Sequence, residues 1–370
     1  MRFAIFHNFM DNIGGAEIVT LTLAKELNAT IFTTNINYEK IKKMGFYDIK
    51  IRSIGKISKN APFRHQKAFY LFRKLNLGKK YDYYIISGDW AMSGAVNNKP
   101  NLWYVHSPLN ELWAFKNFIR NKLLSAWKIP FYEVWVWYNR KLNLKYLKHV
   151  NKLVCNSNNT KKRIKKYYKR NAEVINPPIY TSYFKNKKSE NFWLSINRLT
   201  MHKRIDLQMK SFSKLPDENL IIVGSYEKGS SQFEKYKKYL EKIKPKNVKI
   251  IHWAKQEEII DLLSRCKGFI TTSKNEDFGM TPIEAMASGK PVIAPNEGGY
   301  KETVIDGKTG ILIDNINSQK IIDAINKINF DIKKNSNKYK KNCIKESKKY
   351  DVKEFIKKIK TKIDVLRFNN

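Results

Sequence analysis

The chain has 370 residues, 42% of them hydrophobic, which excludes a peptide hormone or a disulfide-stapled mini-domain and leaves room for two domains of roughly 150–200 residues each. Its 71 Lys and Arg exceed its 33 Asp and Glu to give a formal charge of +38, a bias toward phosphates, nucleic acids or anionic membrane faces that does not choose among them. Cys155, Cys266 and Cys343 are too far apart for a disulfide framework or a Cys-x2-Cys metal spacing, so a reducing cytoplasm is the expected compartment.

The amino terminus, MRFAIFHNF, lacks a basic region followed by a long apolar one, and reads as a first strand over residues 2–7 and not as a signal peptide. A glycine-containing loop follows, then apolar residues at helical spacing from Ala16 to Leu27. Short apolar runs predict further strands at 30–34, 83–87, 102–106 and 152–157. The apolar stretch Ser125 to Tyr138 is interrupted by Lys128, Pro130 and Glu133, well short of the roughly 20 residues that spanning needs, so a soluble or peripherally bound chain is expected.

The Pro-Pro pair and lysine-rich run of residues 176–191 suit an exposed connection, which places a domain boundary near residue 180. A second alternating series follows, with strands predicted at 192–197, 219–224, 248–253, 268–273 and 291–295. Strand and helix alternate in both halves, so the expected fold class is α/β, with two doubly wound parallel sheets in tandem over 1–180 and 181–350. The stripe Phe355, Ile356, Ile359, Ile363 and Leu366 predicts a terminal helix, within about 351–370, able to pack back on the first domain.

Three segments carry candidate chemistry. Gly14-Gly15-Ala16-Glu17 lies between the first strand and the first helix, where glycines allow close approach and free amides favour an anion; the spacing is not Gly-x-Gly-x-x-Gly, and a plain turn reads equally well. Arg198 and Lys203 follow the first strand of the second domain, where ligands of doubly wound sheets bind; a solvated basic loop is the competing reading. The run from Asn275 to Ala294 is more specific. Gly279 permits a tight turn, Pro282 suits a first helical turn, and Gly289 with Pro291 ends the helix. Amides near Phe278, Gly279, Met280 and Thr281 would then hold a phosphate, and Glu284 would accept hydrogen bonds from ribose hydroxyls.

On these residues the chain resembles the retaining nucleotide-sugar glycosyltransferases of family four, whose architecture, GT-B, consists of two Rossmann-like domains facing an interdomain cleft. Glu276 and Glu284 match the family's Glu, seven residues, Glu motif; Gly298-Gly299 with Glu302 and Asp306-Gly307-Lys308-Thr309-Gly310 match its GG-x-x-E and DG-x-TG segments. Asn197 departs from the usual Gly. The resemblance implies that Arg198 and Lys203 stabilise the leaving diphosphate, that Glu276 bonds the donor sugar and Glu284 the ribose, and that Gly14 and Gly15 approach the diphosphate. It implies no cofactor and no metal, in keeping with the lack of an Asp-x-Asp triplet. His106, in a His-Ser-Pro segment similar to that of a mannosyltransferase-rich branch, would be a hydrogen-bond donor or electrostatic helper at the transferred sugar; alone, a strand-end histidine is more often structural. Trp253 and Gln256 fall in the region that approaches the base, although core packing suits Trp253 better.

The expected activity is therefore transfer of a hexose, with mannose from GDP-mannose favoured, to a glycan or lipid-linked acceptor. UDP-glucose or another UDP-hexose as donor is the alternative; a sugar-nucleotide epimerase and a nucleic-acid-binding protein rank below, with no nucleic-acid partner expected. Residues 1–190 carry +24 of the charge, and residues 62–80 mix six basic residues with Phe63, Phe69, Tyr70 and Phe72, followed later by Trp113, Trp127, Trp135 and Trp137. Peripheral docking on an anionic, cytoplasmic membrane face through this domain is expected, against the plainer reading that the charges are merely solvated.

Overall fold

The computed structural model describes residues 1–12, 14–58, 63–226, 231–252 and 254–364. The chain divides into two compact units, Met1–Pro177 with Phe355–Asn370, and Pro178–Glu354. The first division falls inside the Pro-Pro pair, and the second lies three residues into the last helix, Val352–Asp364.

The first unit is built on β1 (Phe3–Phe6), β2 (Thr30–Thr33), β3 (Ile51–Ser53), β4 (Tyr83–Ile86), β5 (Asn101–Val105), β6 (Lys152–Cys155) and β7 (Glu173–Val174), in the order β3-β2-β1-β4-β5-β6-β7. Every pairing is parallel. Helices cover a parallel sheet on both faces, so its strands read as continuous apolar runs: all residues of β1, β2, β4 and β5 are buried. The edge strands β3 and β7 carry no such run and were not anticipated. The last helix completes this unit, with Phe355 edge-on to Tyr104 and Ile359 and Ile363 buried.

The second unit is built on β8 (Trp193–Ile196), β9 (Leu220–Val223), β10 (Val248–Ile251), β11 (Phe269–Ile270), β12 (Val292–Pro295) and β13 (Gly310–Ile313), again all parallel, in the order β10-β9-β8-β11-β12-β13. Strand order reverses beside β1 and β4 in the first sheet and beside β8 and β11 in the second, the points where loops diverge and leave room for a ligand at the carboxyl ends.

Two expectations need correcting. The expected exposed connection over residues 176–191 holds for Ser182, Tyr183, Lys185 and residues 187–191, but the segment is also packed: Ile179 exchanges backbone hydrogen bonds with Tyr350 and Val352, Phe184 is buried, and the Lys187 amide donates to the Ser264 carbonyl. Within residues 63–80, Phe69 and Phe72 are buried while Phe63 and Tyr70 are exposed, because the helix Arg64–Lys74 turns only one face to the core. Trp253 lies outside the described residues, and Gln256 opens the helix Gln256–Arg265. No described helix is long and apolar enough to cross a membrane.

Candidate functional site

In the first unit, Gly14 caps the helix Gly15–Leu27 with extended backbone that any residue adopts, so its value is access and not conformational freedom. Both glycines are exposed. The Gly14 amide donates to Glu17 Oε2 at 2.8 Å, and the other carboxylate oxygen of Glu17 lies 3.0 Å from Nε2 of His7, which leaves β1 buried. His7 Nδ1 is 3.2 Å from the Thr20 hydroxyl, Thr20 is 2.6 Å from the Ser87 hydroxyl just past β4, and Ser87 is 2.8 Å from Nε2 of His106 just past β5. Three strand ends and one helix thus join in a single hydrogen-bonded chain ending on His106.

Burial pushes the Glu17 carboxyl up, but its bonds to His7 and the Gly14 amide outweigh this and hold it below the usual range. A carboxylate only accepts, so His7 Nε2 carries a proton. Burial, reinforced by His7, holds His106 down at about 3, so this ring is neutral near pH 7 and acts as a hydrogen-bonding group, not as a cation. His7, Glu17, Thr20 and Ser87 received no role from the sequence. The signals were a histidine ending the first strand and an acid directly after Gly-Gly-Ala.

In the second unit, Arg198 stands exposed beyond β8, and Lys203 ends a short turn, Met201–Lys203. The Thr272 hydroxyl donates to the Lys203 carbonyl at 2.6 Å, and Arg204 Nε donates to the Thr272 carbonyl at 2.6 Å while its guanidinium pairs with Glu297. These contacts pin the basic loop to the chain leaving β11. Lys203 Nζ reaches Glu276 Oε2 at 2.5 Å, and Ser273 Oγ donates to the same oxygen at 2.5 Å. Burial pushes the Glu276 carboxyl up, yet Lys203, Ser273 and His202 together bring it down to about 2. Burial, with Lys203 and Arg198 nearby, lowers His202 to about 4.

Gly279, at φ +89°, caps the helix Met280–Ala287; a Cβ there would meet the Tyr300 ring at 2.6 Å. The first amides of a helix lack an intrahelical acceptor, so the backbone of Gly279, Met280 and Thr281 offers donors to an anion. Phe278 is buried and packs edge-on to Tyr350 at 5.6 Å, which leaves only its backbone for a ligand. The Glu284 carboxyl makes no hydrogen bond or ion pair with any described residue, and burial pushes it up to about 7.

The two glycine motifs are structural. A Cβ on Gly299 would sit 2.4 Å from Phe278 Cα, and one on Gly298 would sit 2.5 Å from the Glu276 carbonyl, so this pair cradles the loop that presents Glu276. In the DG-x-TG segment, Asp306 accepts from the Leu312 amide at 2.9 Å, and a Cβ on Gly310 would meet the Val292 carbonyl at 1.9 Å, which locks β13 against β12. Among the described residues no three His, Cys, Asp or Glu form a group that would hold a metal ion.

A family model described as glycosyl transferases group 1 matches residues 182–350. An alpha-1,3/1,6-mannosyltransferase of Dictyostelium discoideum is 30% identical over 299 residues, covering 68% of this chain and 67% of that protein. An O-antigen chain mannosyltransferase of Salmonella typhimurium is 29% identical over 238 residues, covering 56% and 66%. The chain thus spans about two thirds of these relatives, and 50% and 53% of two other curated relatives. In fold it is similar to Anabaena HepE, solved in complex with UDP and glucose, with a TM-score of 0.77 at 18% identity and coverage of 99% of this chain and 100% of that one.

Proposed function

Because the chain belongs to the group 1 glycosyltransferases, we propose that it is a retaining hexosyltransferase that moves mannose from GDP-mannose to a glycan or lipid-linked acceptor, without a metal ion. The observation that carries this reading is the group at the carboxyl ends of β8 and β11: Arg198 and Lys203, an ionised Glu276, and Glu284, whose carboxyl has no partner among the described residues. Cations and helix amides suit a diphosphate; the ionised Glu276 suits the hydroxyls of a hexose, and Glu284, once ionised, suits those of a ribose.

In the proposed reaction the bond between the sugar's C1 and the diphosphate oxygen breaks with its electron pair passing to that oxygen. Lys203 has three N–H donors; one on Glu276 leaves others for the phosphate, and Arg198 adds a second cation as negative charge builds. The acceptor hydroxyl forms the new bond to C1, and its proton passes to the departing diphosphate oxygen, which has taken up the electron pair. His106, neutral and held through Ser87, Thr20, His7 and Glu17, offers a fixed hydrogen bond to the transferred sugar. Two relatives are named mannosyltransferases, which supports mannose as the transferred sugar; GDP-mannose is the proposed donor, with a UDP-hexose as the alternative.

The test is a calorimetry and thermal-shift panel, in chelator, of GDP-mannose, UDP-glucose, UDP-N-acetylglucosamine, GDP and UDP. Selective binding of the guanine series is the expected result. Selective binding of the uracil series replaces GDP-mannose with a UDP-hexose, and absence of binding by folded protein overturns both, leaving a donor outside the panel or a degenerate transferase.

A further inference from the structure

The helix Ile129–Leu147 is apolar on both faces: Tyr132, Trp135, Leu142 and Tyr146 pack inward, yet large apolar side chains also face outward. Its inward face holds Asn139 and Asn143 beside Val136 and Leu147, all buried, with the Asn139 amide donating to the Trp135 carbonyl at 2.7 Å and accepting from Gln66. Its outward face holds Phe131, Val134, Trp137 and Tyr138 at 73%, 65%, 57% and 51% exposure, and Trp127, one turn ahead, is 68% exposed. The spacing 127, 131, 134, 138 keeps these side chains on one stripe. At 150–250 Å² for each aromatic side chain, the four rings present on the order of 500 Å² of apolar surface, the size of the largest patch a monomer carries, which is often a functional one.

The charge around this stripe indicates what covers it. Residues 116–148 hold eight Lys and Arg against a single acid, Glu133. That acid is already paired, with Lys116 at 2.6 Å and Arg120 at 3.3 Å. Lys141 and Lys145 continue the exposed face beyond the aromatics, and Lys128 and Lys141 lie 5.0 and 4.0 Å from the Trp127 and Trp137 rings. Lysine is depleted from the cores of protein interfaces, whereas Trp and Tyr flanked by Lys are what the boundary between lipid headgroups and acyl chains selects.

We propose that the outward face of the helix Ile129–Leu147, together with Trp127, docks the protein on an anionic lipid bilayer, the rings entering the interface and the lysines meeting lipid phosphates. The surface lies mainly on this helix and not on residues 63–80, where two of the four aromatics are core. The inference rests on the lipid-linked acceptor reading for its purpose; vesicle binding needs no nucleotide sugar, so each can fail while the other stands.

The test floats the full-length protein with vesicles of phosphatidylcholine alone and of phosphatidylcholine with about 30% phosphatidylglycerol, at low and high salt. Expected are retention on the anionic vesicles at low salt, weaker retention at high salt, and quenching of tryptophan fluorescence by lipids brominated on their acyl chains. A Phe131→Asp, Trp137→Asp double variant should lose roughly tenfold or more of the partitioning while keeping the parent's circular dichroism and nucleotide binding. Quenching in the unaltered protein tests insertion even if that variant misfolds. Parent protein left unbound at low salt, absence of quenching, or a folded double variant that binds as well as the parent would overturn the proposal. So would a concentration-dependent dimer, dissolved by the same substitutions, in a protein that ignores vesicles.

Discussion

Glu276 and Glu284 are eight positions apart and their pKa values are shifted in opposite directions, because one has a lysine and a hydroxyl on it and the other has only burial. Hydroxyl donors placed on Glu284 would favour its ionised form and draw its pKa below about 7, so nucleotide binding near pH 7 should release protons. Calorimetry in buffers of different ionisation enthalpy reads this release, and Glu284→Gln should abolish it. The raised pKa also links to stability. A carboxyl with a raised pKa favours the fold at low pH and loses that contribution as pH rises through about 7, so Glu284→Gln should melt higher than the parent at alkaline pH and no higher under acid conditions. Lys203→Ala leaves Glu276 without its cation and removes charge from the leaving group; a turnover loss of about 10²–10³-fold is expected in steady-state kinetics. His106→Ala should lower turnover and leave nucleotide affinity unchanged. Glu17→Gln should produce a smaller loss of the same kind, since the hydrogen bonds from Glu17 to His106 run through three other side chains.

At the scale of elements, the site loop depends on backbone packed against backbone. Gly299→Ala would force a Cβ into Phe278 Cα, shifting the loop that carries Glu276. The expected result is a loss of about 1–3 kcal/mol in denaturant unfolding together with weakened nucleotide binding. The run from Asn275 to Ala294 announced a strand, a turn and a helix, and Gly279 and Pro282 stand where the turn and first helical turn require them. What it left open was which side chains face a ligand: Phe278 and Glu284 are six residues apart, and one is core while the other is unpartnered. Similarly, the aromatics of residues 63–80 were visible as a composition, but Phe72 at 0% and Phe63 at 65% exposure were separated by the helix's orientation against its neighbours.

For the whole molecule, the chain returns to the first unit at its end. Phe355, Ile356, Ile359 and Ile363 are all buried there, and burying an apolar side chain of this size contributes about 1.5–3 kcal/mol. Ile359→Ala should therefore cost roughly 2–5 kcal/mol in chemical denaturation, and truncation before Phe355 should give insoluble protein. The charge of +38 belongs to the same scale: in the proposed docking it would draw the protein toward an anionic surface in a salt-dependent way, and the exposed aromatics would specify which face arrives.

The sequence by itself determined the alternation of strands and helices, the tandem α/β organisation and the loops of the second unit, because apolar runs, helical spacing and glycines that admit no Cβ act over a few residues. The edge strands β3 and β7 were too short and too exposed to register as apolar runs. Only the tertiary structure decided the chain from Glu17 to His106, whose links join residues 10, 13, 67 and 19 positions apart, and only it turned one helix's aromatics outward. Hydrogen bonds between strand ends, and the choice of which helical face is buried, depend on neighbours that folding supplies.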